Sequence, residues 1–199
     1  PAISDADLIA KLESSWSLID PTEGWISNSS LKRAVKMLER FSRYHAATTR
    51  DVVGAELNFK IQVGRAEIRG SVDRIEVDSD GNHYVIDFKT GKTQITAEKA
   101  KENLQLACYQ LAVALDGFEK NLTTTSSSGA ELVYLAKDSV KVTTRQQYKI
   151  GEVQVKAKIE EIAEGMGAET FQARINTMCE NCVVKACCPI QSQGRTVIE

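Results

Sequence analysis

The sequence predicts an α/β fold, a central mixed β-sheet with helices on both sides, and three observations carry that prediction. Leu57, Phe59, Ile61 and Val63 alternate with Glu56, Asn58, Lys60 and Gln62, the two-residue period of a half-buried strand. Gly64-Arg65 and Asp78-Ser79-Asp80-Gly81-Asn82 then break the extended stretches, so that three strands follow one another as an antiparallel meander. After Gly91 the apolar residues change to helical spacing, the crossover needed before a later strand can join the sheet.

Each element has its own signal. Ser4, with Asp5 and Asp7 behind it, caps a helix that runs to about Trp16 with Leu8, Ile9, Leu12 and Trp16 in register. Asp20-Pro21-Thr22-Glu23-Gly24 is a turn, and from Ser29 or Ser30 an amphipathic helix runs to about Ala46 along Leu31, Ala34, Val35, Leu38, Phe41 and Tyr44. His45 near its end reads as a packed or helix-terminal histidine. Strands follow at residues 57–63, 66–77 and 83–88, then one helix over 97–115 striped by Leu104, Ala107, Cys108, Leu111 and Leu115. Residues 123–129 read as a polar loop, 131–136 and 140–144 as short strands, and 152–165 as a helix.

A chain of 199 residues, 42% hydrophobic and 26% charged, has the balance of one globular domain. Its expected layout is a helical lead-in at 1–48, a catalytic core at 50–145, and a helix and cysteine segment at 150–199. With no bilayer-spanning apolar run and no secretory pattern after Pro1, the expected place is the cytoplasm, without a membrane partner. A net charge of -2 is no footprint of a free-standing nucleic-acid binder, so any grip on DNA is expected to come from elsewhere.

Asp87 and Lys89 are two apart at a strand end and therefore share a face. Asp73 lies on the strand that the hairpin lays beside them, and Glu56 on the strand before offers a third oxygen donor. Hard cations such as Mg²⁺ and Mn²⁺ take carboxylates, and a neighbouring lysine can orient a water or offset developing charge. Gln105 and Tyr109, four apart on the following helix, face the same way. Against this stand plainer readings: Glu56 and Asp73 as exterior charges paired to Arg50, Arg69 or Arg74, and Tyr109 as core. Gly91-Lys92-Thr93 is not a P-loop, because that pattern needs a glycine where Ile86 stands.

Gly70-Ser71-Val72-Asp73-Arg74-Ile75, Val85-Ile86-Asp87-Phe88-Lys89-Thr90-Gly91 and Gln105-Leu106-Ala107-Cys108-Tyr109, in this order, resemble the RecB-like branch of the PD-(D/E)xK nucleases over about residues 53–189. The resemblance implies a restriction-endonuclease-like core in which Asp73 and Asp87 bind Mg²⁺ or Mn²⁺ and Lys89 completes the centre. Glu56 matches a preceding acid of that family, and Gln105 and Tyr109 match its Gln-x-x-x-Tyr helix.

Four of the five cysteines crowd into residues 179–188, which in a reducing compartment reads as a metal or cluster site before disulfides. Cys179-x2-Cys182-x5-Cys188-Pro189 is similar to the tail of RecB-like nucleases with a 4Fe-4S cluster, such as the AddB, AdnAB and Cas4 types. Their fourth cysteine often lies upstream of the core, and here none precedes Cys108, itself expected as a small core residue. The chain is therefore expected to begin inside the nuclease domain.

The likeness implies the nuclease domain of an ATP-dependent helicase-nuclease that acts on DNA in double-strand break repair and recombination. Its partners would be the motor domains of the same polypeptide and a second helicase-nuclease subunit. A silent scaffold or DNA-binding module, or a stand-alone Cas4-like exonuclease, are the alternatives.

Overall fold

The computed structural model describes residues 4–120, 122–137, 139, 141–168, 172–192 and 194. The chain divides into two compact units, residues 1–157 and 158–199. The first holds a five-stranded mixed sheet in the order β1-β2-β3-β4-β5.

Two helices lead in. Ser4 accepts the Asp7 N–H and starts α1, Asp5–Ile19, whose Trp16 donates to Ser27 Oγ at 2.9 Å. The second helix, α2, runs over Trp25–Ala47 and starts about a turn earlier than its spacing predicts, because Gly24 at φ 77° bends the chain straight out of the turn. The strands β1 (Asp51–Val63), β2 (Ala66–Val77) and β3 (His83–Lys89) form the expected antiparallel meander, and β1 reaches further back through a register shift at Val52/Gly54.

The predicted crossover helix is two. Helix α3 covers Ala97–Lys101, and α4, Leu104–Ala114, starts afresh with the Asn103 side chain accepting the Leu106 N–H. The reason lies in β5: buried Gln147 donates through Nε2 to the carbonyls of Ala100, Lys101 and Asn103 at 3.1, 3.1 and 2.9 Å. Ala100 O and Asn103 O also accept the backbone N–H groups of Asn103 and Ala107, so Gln147 adds a second bond to each at the break, and it in turn accepts from Gln110 Nε2 at 3.0 Å.

Strand β4, Ser127–Tyr134, is parallel to β3 and takes in Ser127–Gly129 of the expected loop, because Gly129 at φ 146° passes where a Cβ would strike Gln147 O. Strand β5 is Thr143–Tyr148 rather than 140–144, since its pairing with β4 registers Thr143 on Tyr134. Val140 of that expected strand lies outside the described residues.

Strand β3 is covered on both faces and sorts its side chains by parity. Tyr84, Ile86 and Phe88 meet Met37, Phe41 and Tyr44 of α2. Beneath α2 lies a polar cluster as well: Arg50 pairs with Glu76 at 2.8 Å and Glu131 at 3.1 Å, Arg74 with Glu76 at 2.8 Å, and Tyr44 OH donates to Glu131. Burial and the Glu131 charge push the Tyr44 phenol up. On the opposite face Val85, Asp87 and Lys89 look toward α4, where Tyr109 stacks edge-on against Phe59 of β1.

Helix α5, Glu152–Gly167, runs across the boundary between the units. Two short 3-10 helices, Cys179–Asn181 and Lys185–Cys187, follow in the second. Among the described residues no helix is long and apolar enough to cross a membrane.

Gln147→Leu removes the side chain that bonds all three carbonyls at the α3/α4 break, so it is expected to cost about 1–3 kcal/mol in urea unfolding. A midpoint equal to that of the parent protein would show that the break is held by other means.

Candidate active site

Asp87 is buried at the end of β3, and around it the residues singled out from the sequence converge. Gln105 Nε2 donates to Asp87 Oδ1 at 2.9 Å and to Tyr109 OH at 2.7 Å, while Tyr109 OH lies 3.4 Å from the same Oδ1. Lys89 Nζ donates to Gln105 Oε1 at 3.1 Å and stands 2.7 Å from Asp87 Oδ2. That ion pair is short but badly angled, so the buried Oδ2 accepts no hydrogen bond. Tyr109 is thus both core and site: it packs on Phe59 and touches the acid.

Asp73 is brought alongside by the sheet. The β2–β3 ladder ends at Arg74↔Ile86, and one step further Asp73 faces Asp87. The Phe88 N–H that the ladder leaves over donates to Asp73 Oδ2 at 2.6 Å. Burial raises the Asp87 carboxyl above its ordinary value, Lys89 works against that rise, and the Asp73 charge adds to it.

Glu56 lies on the next strand, β1. It falls opposite Asp73, between the pairs Ala55↔Arg74 and Leu57↔Val72, but its backbone is left-handed at φ 51°. The exposed side chain lines a groove of about 560 Å³ together with Asp73, Arg74 and Phe88 of the sheet and Phe41 and His45 of α2. His45, read from the sequence as a packed or helix-terminal histidine, is both, in the last turn of α2 and stacked on Phe41; it also lines this groove, and its Nδ1 lies 2.9 Å from Arg74 Nη2. Nothing in the helical periodicity marks it; only the placement of α2 over β2 does.

The plainer reading of the acids does not match the pairing. Arg50 and Arg74 go to Glu76 and Glu131, and Arg69 goes to Glu67 at 2.7 Å.

The donor chemistry fits a hard cation. Two carboxylates lie close enough to feel each other's charge, and one carries a buried oxygen without a hydrogen bond. Among the described residues no three His, Cys, Asp or Glu side chains gather to hold an ion; of the expected trio, Asp73 and Asp87 face each other across the ladder, and Glu56 lines the groove with Asp73. Mg²⁺ commonly takes one or two carboxylates and completes its shell with water and substrate phosphate.

Cys179, Cys182 and Cys188 are likewise not gathered as a group of three among the described residues. Cys179 Sγ accepts the Asn176 N–H at 3.2 Å, and Cys182 and Cys187 are exposed. Cys108 is half-buried, with its thiol pushed up by burial, as a core residue should be.

A five-stranded mixed sheet flanked by helices, carrying an acid and a lysine two apart at a strand end, is the architecture of the PD-(D/E)XK nucleases. Residues 2–189 match the profile of the PD-(D/E)XK nuclease superfamily, and the chain belongs to it. Among solved structures, SSO0001 aligns at a TM-score of 0.41 and 19% identity over 95% of this chain and 86% of its own. A provisionally named exonuclease from Eubacterium rectale aligns at 0.44 and 12% identity over 92% of this chain and 81% of its own. No curated protein matches the chain.

Two outcomes test this geometry. Glycine accepts φ 51° where a side chain is strained, so Glu56→Gly should melt about 2–4 °C above Glu56→Ala in calorimetry. Asp87→Asn should melt above the parent protein at pH 7 without metal. The raised folded-state value means that the native protein favours the protonated acid, a contribution present below the ordinary value of 3.8 and lost as pH rises through the folded value. The advantage of asparagine should therefore vanish in acid; an advantage that persists there would refute the electrostatic account.

Proposed function

We propose that this domain hydrolyses phosphodiester bonds in DNA with Mg²⁺ or Mn²⁺ held by Asp73 and Asp87. The observation that supports it best is the hydrogen-bonded group of Asp87, Lys89, Gln105 and Tyr109 beside a second carboxylate. A bound cation supplies Lewis-acid polarisation of the scissile phosphate and an activated water. Everything else is the work of the chain. Burial and the Asp73 charge make the ionised Asp87 costly in the metal-free protein, so a cation at this point is favoured over a proton as pH rises.

Lys89, tethered by Gln105, holds its positive charge beside Asp87, where negative charge grows on the phosphate oxygens during attack. Gln105 and Tyr109 keep the carboxylate and the lysine in one geometry, so that little reorganisation accompanies the reaction. Glu56 and His45 line the adjoining groove and would meet a substrate entering beneath α2. No step is routed through the cysteine segment.

The RecB-like likeness extends the proposal to a helicase-nuclease of double-strand break repair, in which the motor of the same polypeptide brings the strand to the cut. A stand-alone exonuclease uses the same centre. Helicase motifs encoded immediately upstream of Pro1 would favour the former.

Asp87→Asn and Lys89→Ala are each expected to lower Mn²⁺-dependent cleavage of a single-stranded oligonucleotide by at least about 100-fold. If both variants keep parental rates, the centre has been placed wrongly.

A further inference from the structure

We infer that α2 and the loop after β3 form a track for the sugar–phosphate backbone of a nucleic-acid strand, distinct from the carboxylate centre. The inference rests on the nuclease reading for the nature of the strand, but its observations are separate. Helix α2 carries Lys32, Arg33, Lys36, Arg40 and Arg43 against the single acid Glu39, in a chain whose net charge is -2. The charge of this protein is therefore segregated, and its mild total conceals a strongly basic helix.

Part of that charge is built into a cleft. Arg33, Lys36 and Arg40 are three and four residues apart and share one side of the helix. With Met37, Thr90 and Lys92 they line a depression of about 240 Å³, and no acid is among the described lining residues. Buried Arg40 donates through Nη1 to Leu135 O at 2.9 Å and so fixes the helix to the end of β4. Arg33, Lys36 and Lys92 are exposed around it. From Arg33 to Arg40 the stripe runs for about 10 Å at the helical rise.

Position gives the cleft its purpose. Lys92 follows Lys89 by three residues, so the loop carrying it leaves directly from the proposed centre. At the other end Phe41 and His45 of the same helix line the groove that holds Glu56 and Asp73. One helix thus borders the groove at the acids and supplies cations leading away from it. A protein partner would more often be met by an apolar core with charges at the rim. Here the cations form the lining, with Met37 and Ala136 as its apolar members, and a polyanion is the better fit.

The test measures binding of the whole 199-residue chain to a fluorescently labelled single-stranded oligonucleotide by anisotropy in EDTA, over a range of salt. The double variant Lys36→Ala/Lys92→Ala should raise Kd roughly tenfold and flatten the plot of log K against log salt by about 0.7 per lost contact. Lys36→Gln alone should show part of both effects, and Lys11→Ala on α1 neither. Melting curves matching the parent establish that the variants are folded.

Unchanged Kd and slope in the double variant would overturn the track. An equal loss in Lys11→Ala would overturn it in favour of bulk charge, and tighter binding of polyglutamate than of DNA would overturn it in favour of an acidic protein. Because no turnover occurs in EDTA, the two proposals fail separately: a parent protein that binds in this way but does not cut with Mn²⁺ refutes hydrolysis and keeps the track.

Discussion

Everything in this domain hangs on the two-residue period of β3, a strand buried on both faces. Tyr84, Ile86 and Phe88 pack on the α2 side, and Asp87 and Lys89 bond to α4 on the other. Shifting the strand by one residue would put the aromatic side chains under α4 and the acid under α2. The packing on the α2 side therefore holds the chemistry on the other in register, and the parallel pairing with β4 locks the same register from the flank.

The two faces handle charge in opposite ways. Under α2, buried Glu76 and Glu131 are surrounded by Arg50, Arg74 and Tyr44, so opposite charges outweigh like ones there, although Glu76 Oε1 itself is ion-paired without a hydrogen bond. Under α4, burial first and the like charge of Asp73 after it raise the Asp87 carboxyl, and Lys89 offsets only part of that rise. A protein that optimised this corner for stability would not leave it so. Strain at Glu56, the one left-handed strand residue that is not glycine among those described, lies along the same line of acids. Unfavourable energy is concentrated where a cation and a phosphate would relieve it.

Helix α2 joins these themes, because it packs the sheet with its apolar side, borders the acid groove with Phe41 and His45, and carries a surplus of cations on the side turned to solvent. Net charge was a poor guide to it. The total of -2 averages a basic helix with acidic surface elsewhere, and a ligand feels the local field within about 10 Å rather than the total.

Much was legible in the chain itself, for a local reason. Alternation over residues 57–63, the turn residues at 64–65 and 78–82, and the spacing of Asp87 from Lys89 and of Gln105 from Tyr109 are properties of neighbours in sequence, and the meander and the shared faces follow from them. What could not be read depended on residues far apart. The break between α3 and α4 is set by Gln147, the strand character of Ser127–Gly129 by pairing with β3 and β5, and the place of His45 beside Glu56 and Asp73 by the docking of α2. The sequence alone determined which chemical groups are present and which of them share a strand or helix face. Only the tertiary structure decided that Asp73 comes to face Asp87 and that α2 closes a groove over Glu56 and Asp73, because distances between elements arise from packing, to which local periodicity is blind.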